Sequence, residues 1–277
     1  MVEQLCVASL LDALDVAVFE NERLVAKLRQ MKQGLLHDLL TRGIDENGEL
    51  RDLERSPEKF RNSQLGRIPN AWSASSVEAE FDIASGLTLG PHRRPRRHPW
   101  PYLRVANVFR GVLNLADIAE MEVSPAEVAT YQILPGDLLV IEGHANPDEI
   151  GRCAMATSAV SRFVFQNHLF RLRSRRVAPA FGLRWMNSPW AQRYWRNECA
   201  TSSGLNTINK TKLKRLVVLV PPPVEQEQIV RNIEAFEGRI LAEERTLAKL
   251  RLLKQGLMDD LLTGRVRVTP LLTEPTP

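Results

Sequence analysis

Residues 2–41 and 224–263 are two copies of one segment, aligned at a constant offset of 222 without a gap and identical at 18 of 40 positions. Val2-Glu3-Gln4 matches Val224-Glu225-Gln226, Ala26-Lys27-Leu28-Arg29 matches Ala248-Lys249-Leu250-Arg251, and Lys32-Gln33-Gly34-Leu35 matches Lys254-Gln255-Gly256-Leu257. Each copy reads as a long helix. Apolar residues recur at Leu11, Leu14, Val18, Leu24, Leu28, Met31, Leu35 and Leu39, and again at Ile233, Phe236, Ile240, Leu247, Leu250, Leu253, Leu257 and Leu261. Spacings of three and four put them on one stripe with charged residues elsewhere. A helix of this size runs roughly 50–60 Å at the usual rise. Two matched stripes predict an antiparallel coiled coil, with Leu28, Met31 and Leu35 of one helix on a common seam with Leu250, Leu253 and Leu257 of the other. The seam shifts phase near Asn21 and Glu243, a stutter in the repeat. Gly34 and Gly256 are interior glycines repeated in both copies, which suggests close packing at those points.

Boundary signals give the organisation. Pro221-Pro222-Pro223 ends a strand-like run, and Glu225 and Glu227 then occupy a first helical turn, where negative charge is favoured. Arg42-Gly43 follows the first copy and Gly264 the second, as helix stops. The expected layout is a helix over 1–43, a polar linker over 44–59 and a globule over 60–223. A second helix over 224–265 and a proline-rich disordered tail over 266–277 complete it. In the globule the period changes. Tyr102–Val108, Leu138–Glu142, Ser161–Phe165, His168–Arg173 and Leu216–Val220 read as short strands, and the segment from Pro179 to Cys199 as helix. The aromatics of that helix, Trp185, Trp190, Tyr194 and Trp195, read as core. The fold class is α+β: one mixed globule flanked by two long helices.

Charge separates the parts. Residues 60–223 hold 21 Lys and Arg against 12 Asp and Glu, whereas the rest of the chain holds 16 against 21. A basic excess confined to one domain is the footprint of a polyanion binder, although a solvated basic surface gives the same sum. No apolar run approaches a membrane span, and Glu3 stands where a signal peptide carries positive charge. Cys6, Cys153 and Cys199 are widely spaced, as expected of reduced thiols in a cytoplasmic protein.

Catalytic signatures are missing. No phosphate-binding Gly-x-x-x-x-Gly-Lys-Ser/Thr loop occurs, and Gly86 and Gly90 are too isolated to form a nucleotide-binding turn. Asn187-Ser188-Pro189-Trp190 is only superficially like the Asn-Pro-Pro-aromatic motif of amino-methyltransferases, because Ser188 breaks it. Asp137, Glu142 and Asp148 lack the lysine that completes a nuclease site, and His92, His98, His144 and His168 lack metal-ligand spacing. No cofactor, metal or catalytic residue is expected.

Binding features are better represented. His92-Arg93-Arg94-Pro95-Arg96-Arg97-His98 is a basic loop, and arginine contacts phosphates or guanine edges. Gln166-Asn167-His168 sets amides beside a strand, where they can pair with adenine or satisfy local backbone. The polar loop from Thr201 to Lys210 leads into Lys212 and Lys214 and can follow a phosphate backbone. The candidate DNA contacts are Arg93, Arg94, Arg96, Arg97, Asn107, Gln166, Asn167, His168, Ser202, Asn206, Asn209, Lys210 and Lys212.

Several motifs together resemble the specificity subunit of type I restriction–modification enzymes. They are the repeated Ala-Lys-Leu-Arg-x-x-Lys-Gln-Gly-Leu, the Pro222-Pro223-x-Glu225-Gln226-x-x-Ile229 entry, and Leu65-Gly66-x-Ile68-Pro69-x-x-Trp72. Tyr102-Leu103-Arg104-Val105-Ala106-Asn107-Val108, Gly136-Asp137-Leu138-Leu139, Asn167-His168-Leu169-Phe170-Arg171 and Gly204-Leu205-Asn206-Thr207-Ile208-Asn209 add to the match, which runs from Val2 to about Arg265. The resemblance implies a target-recognition domain that reads half of a split double-stranded DNA site. It also implies helices that serve as spacer and docking surface for methylation subunits, with restriction subunits joining the complex. Such a chain selects the target and performs no chemistry. A usual member has two recognition domains; this sequence carries one, as a half-subunit or a truncated gene product would, and a homodimer would restore a split target. Two other readings stay open on the residues alone: the recognition part of a fused methyltransferase–nuclease, and a coiled-coil protein whose basic middle binds nucleic acid.

Overall fold

In a computed structural model, described here for residues 2–202 and 205–268 and without the side chains of 200–205, the chain is α+β and divides into two units. One comprises Met1–Leu35 and Asn232–Pro277, the other Leu36–Arg231. The expected proline-rich tail lies mostly outside the described residues.

The first unit is built from two helices of 40 residues each, α1 (Val2–Thr41) and α7 (Pro223–Leu262), both of which continue into the second unit. They pack together antiparallel, as the ion pairs between them require: Asp15 meets Lys254, Glu22 meets Arg251, Arg29 meets Glu244, and Lys32 meets Glu237. These pairs come in symmetry-related sets. Arg29–Glu244 and Glu22–Arg251, both 2.6 Å, are the same interaction seen from either copy of the repeat, and so are Lys32–Glu237 and Asp15–Lys254. Asn21 Nδ2 donates to Glu243 Oε2 at 3.1 Å, joining a residue to its own repeat mate, so the local twofold axis passes there. The phase shift expected there is corrected: Leu11, Leu14, Val18, Asn21, Val25, Leu28, Lys32, Leu35 and Leu39 are the protected line of α1, at unbroken spacings of three and four.

That unbroken phase decides which residues form the seam. Beyond Asn21 the line in α1 runs through the buried Val25 and Leu28 and the half-buried Lys32 and Leu35, with Leu28 3% exposed, and Met31 is left out at 50%. Its mate Leu253 is likewise 52% exposed. The expectation that Met31 and Leu253 lie on the seam is therefore corrected. Lys32 and Lys254, both half-buried, take the position instead, with their ammonium groups on Glu237 and Asp15. Leu28 is buried, and Leu35, Leu250 and Leu257 are half-buried. A second correction concerns the repeated glycines: nothing lies within 4 Å of where a Cβ would stand at Gly34 or Gly256.

The second unit holds the globule. After α1 come β1 (Phe60–Ser63), β2 (Gly66–Pro69), β3 (Ser73–Ser76), the single turn α2 (Val77–Glu80) and β4 (Phe81–Ser85). Then follow β5 (Pro99–Leu103), β6 (Ala119–Glu122), α3 (Pro125–Tyr131), β7 (Leu138–Ile141), β8 (Gly143–His144), β9 (Cys153–Met155), β10 (Val164–Phe165) and β11 (Leu169–Ser174). The chain ends this unit with α4 (Pro179–Met186), α5 (Pro189–Glu198), β12 (Ala200–Ser202), β13 (Leu205–Thr207), α6 (Lys210–Arg215), β14 (Val217–Val220) and the start of α7.

The central sheet is antiparallel in the order β4-β11-β7-β9, and β7 is buried along its whole length. A second sheet, β10-β5-β6, packs beside it, with Leu103 and Phe165 in the core shared with Leu139, Ile141 and Leu169. β8 pairs with β13, and β3 with β14. The segment read as one helix from Pro179 to Cys199 is two. Asn187 breaks it with its side-chain amide, which accepts from Cys153 N (3.0 Å) and donates to Cys153 O (2.8 Å), and Ser188 Oγ then caps α5 at Ala191 N. Trp185 and Trp195 are fully buried, and Trp190 and Tyr194 half-buried, so these aromatics do serve the core.

Glu225 pins the first part of the stretch from Ile44 to Lys59, whose turns Asp45 and Asp52 hold by accepting backbone N–H groups of Asn47, Glu49, Glu54 and Arg55. The buried Glu225 accepts from Ile44 N (3.0 Å) and Trp72 Nε1 (2.9 Å) and is gripped by both guanidinium nitrogens of Arg51. Gly43, with φ 62°, fits here because a Cβ would run into Glu225 and Trp72.

Two outcomes follow. Glu225→Ala strands three buried donors and should cost about 3–5 kcal/mol, read as a lowered urea midpoint. Gly34→Ala and Gly256→Ala meet no neighbour and should each stabilise the chain by roughly 0.5–1 kcal/mol in the same titration; a drop in stability would mean that those helix turns are not as open as described.

Candidate nucleic-acid interface

The basic loop is assembled from the ends of β5 and β6. Of its arginines, Arg93 turns inward. Its Nη1 and Nη2 bond to Glu127 at 3.0 and 2.6 Å, and Nη1 also donates to Glu122 O at 3.1 Å. Glu127 is placed for this by a capping box: its carboxylate accepts from Ser124 N, and Ser124 Oγ accepts from Glu127 N. The Arg93 hydrogen bonds, helped by Ser124, hold the Glu127 carboxyl down at about 2.

Beyond Arg93 the chain folds over a second carboxylate. Glu122 accepts the backbone N–H groups of Arg96 (2.7 Å), Arg97 (3.1 Å) and His98 (2.9 Å), and Val123 N returns a bond to His98 O. Desolvation acts to raise the pKa of Glu122, but the three N–H bonds outweigh it and hold the group below the usual carboxylate range. With the amides facing inward, the side chains of Arg94, Arg96 and Arg97 face solvent and have no ion-pair partner among the described residues.

A polar cluster forms at the other end of β5, roughly 16 Å away at the usual strand rise. Gln166 and Asn167 lie between β10 and β11, held by Gln166 N→Leu103 O (3.0 Å) and Asn167 N→Leu87 O (2.9 Å). Gly86 permits this approach, since a Cβ there would collide with the carbonyls of Phe165 and Gln166. The side-chain amides of Gln166 and Asn167 are half-buried yet make no hydrogen bond among the described residues. His168 Nδ1 lies 2.7 Å from Glu142 Oε2. The register of β8 against β13 brings His144 opposite Asn206, whose Nδ2 donates to Ala145 O at 3.0 Å. Three separate stretches of chain thus converge: Gln166–His168, Glu142–His144 and Asn206. Sequence reasoning missed Glu142 and His144 as members, because only the strand register places them there.

Four expected contacts have structural tasks instead. Arg93 is half-buried on Glu127. Asn107 is 3% exposed; its Oδ1 accepts from Arg104 N, and its Nδ2 donates to the carbonyls of Asn114 and Asp117. Asn209 caps α6 by accepting from Lys212 N at 2.9 Å. Lys212 is half-buried and donates to the Glu198 carbonyl. Tyr102–Val108, expected as one strand, stops at Leu103 because residues 105–107 turn as a short 3-10 helix around Asn107. Lys210 is exposed at the start of α6. The Ser202 side chain, with Ser203 and Gly204, lies outside the described residues.

Burial pushes the Cys153 thiol well up and disfavours its thiolate form. No helix is long and apolar enough to cross a membrane, and no cluster of potential metal ligands occurs among the described residues.

Comparison with known proteins gives one consistent result. The chain is 26% identical over 277 aligned residues to the EcoKI specificity subunit of a type I restriction enzyme from Escherichia coli K12, covering 96% of this chain and 56% of that protein. It is 32% identical over 134 residues to the StySPI specificity subunit from Salmonella potsdam, covering 48% of this chain and 29% of that one. The crystal structure of the HsdS subunit from Thermoanaerobacter tengcongensis shares the fold, with a TM-score of 0.61 at 16% identity over 94% of this chain and 57% of the other. No family model matches. In sequence and fold the chain is similar to type I specificity subunits, and it spans about half the length of these relatives.

The Arg93–Glu127 pair makes a pH prediction. Because Glu127 is depressed in the folded state, its contribution is fully present above the unfolded carboxyl range and is lost as pH falls towards about 2. A carbon NMR titration should give Glu127 a midpoint near that value, and Arg93→Gln should return it towards 4.5. An ordinary midpoint in the unsubstituted chain would dissolve the pair.

Proposed function

We propose that this chain is a DNA-specificity subunit of a type I restriction–modification system. It supplies target choice and leaves chemistry to partner methylation and restriction subunits. The observation that carries the reading is the pairing of two features at the ends of β5: three outward arginines on a fixed loop and two amides with no hydrogen-bond partner among the described residues. Arginines of this kind engage phosphates or guanine, and amides read adenine edges in the major groove. The similarity to specificity subunits over nearly the whole chain supports it. In this reading residues 60–223 are the recognition domain, and the paired helices are the spacer on which methylation subunits dock. The chain works in the cytoplasm, where the DNA is. One recognition domain reads one half-site; two chains about a dyad read a split, palindromic target.

Replacing Arg94, Arg96 and Arg97 by Gln should weaken binding across sequences and reduce the salt slope by about 0.9 for each phosphate no longer neutralised. Asn167→Ala or Gln166→Ala should relax one position of the target by about 1–3 kcal/mol. Methylation mapping of a host genome with and without the gene tests the whole reading. A gene-dependent interrupted palindrome is expected. A short unsplit motif counts against pairing of two chains, and no gene-dependent mark counts against the function.

A further inference from the structure

We propose that Glu122 is the positioning residue of the basic loop: by binding the amides of Arg96, Arg97 and His98, it fixes the direction in which Arg94, Arg96 and Arg97 meet DNA. The proposal rests on the reading of that loop as a phosphate-contacting element. Three arginines within four residues repel one another, and a free loop of that composition would spread into many conformers. Here a single carboxylate lies beneath the backbone and receives three N–H bonds of 2.7–3.1 Å, charge-assisted and therefore strong for their kind. It consumes the inward-facing donors and leaves the guanidinium groups facing outward. Arg93 on Glu127 anchors the other end of the same loop, and its bond to the Glu122 carbonyl ties both anchors to one residue of β6.

The sign of the effect on DNA binding separates this role from a plain charge effect. Glu122 is an acidic group close to an expected polyanion site, so removing its charge should tighten binding if it acted only through its field. If it positions the loop, removal should weaken binding although no arginine has changed.

The test uses the full chain with Glu122→Gln and, in parallel, Glu122→Ala. Without DNA, trypsin cleavage after Arg96 and Arg97 should quicken by about fivefold to tenfold, the scale of removing a charge-assisted hydrogen bond at a half-exposed site. The melting temperature of the chain should stay close to that of the unsubstituted protein. With the target DNA found by methylation mapping, affinity should fall by about tenfold and the salt slope should shrink, as fewer phosphates are held in an ordered way. Unchanged cleavage, or tighter DNA binding, overturns the proposal. The Arg94, Arg96 and Arg97 triple substitution keeps the two readings apart. If it leaves affinity and salt slope unchanged, the loop is not a DNA element and the proposal falls with that reading. If it weakens binding while Glu122→Gln does not, positioning by Glu122 alone is wrong.

Discussion

The Glu225 carboxylate closes the second unit. It stands in the first turn of α7 and holds groups from the far side of the globule in sequence: the amide of Ile44, the guanidinium of Arg51 and the indole of Trp72. A buried carboxylate is tolerable only when its lone pairs are occupied, and here two hydrogen bonds and a two-pronged guanidinium grip occupy them. The neighbouring Gln226 works the same way, accepting from Ala178 N at 2.6 Å and donating to Pro221 O at 2.9 Å. Two adjacent polar residues therefore bring the exit of α1, the entry of α7 and the start of α4 to one place. The strands between them can then pair without a long unsupported connection.

Much of this architecture was legible because the repeat is long. A pattern seen twice over 40 residues specifies helix, partner and antiparallel pairing more firmly than any single stretch could. The phase of the seam was less legible. Met31 and Leu253 are apolar, but the spacing of the first half of the helix carries on through the polar Asn21 without a slip, which leaves them outside and brings Lys32 and Lys254 in. Residue type alone favoured the wrong neighbour, because a lysine stem can fill a seam position when an acid waits across it. Pro179 to Cys199 shows the converse. Its Ser188-Pro189 step already breaks the helical composition, since Pro189 has no N–H to give and Ser188 caps the restart, and the Asn187 bonding to Cys153, 34 residues earlier, fixes the break in place.

The candidate interface was legible as a set of residue types and not as a set of roles. Arginine, asparagine and lysine were marked as contacts for what they can do with DNA. Whether each is available depends on what the fold sets opposite it. Glu127, 34 residues beyond Arg93, takes that arginine, and the carbonyls of Asn114 and Asp117 take Asn107. None of these partners is periodic, so no spacing rule reveals them. Gln166 and Asn167 differ because their backbone groups are already bonded to Leu103 and Leu87, which leaves the side chains free while fixing where they start.

The Asn187 side chain has a consequence beyond the helix break. β9 is the last strand of the central sheet, and its outward backbone groups at Cys153 are a template on which a foreign strand could grow. An amide side chain carries an N–H donor and a C=O acceptor side by side, as a peptide unit does, and the second N–H of Asn187 goes to Leu183 O. By meeting both Cys153 N and Cys153 O, Asn187 imitates one residue of a neighbouring strand without being one. At that point the sheet is thereby sealed against edge-to-edge aggregation by one side chain together with Gly111 N, which also donates to Cys153 O at 2.8 Å.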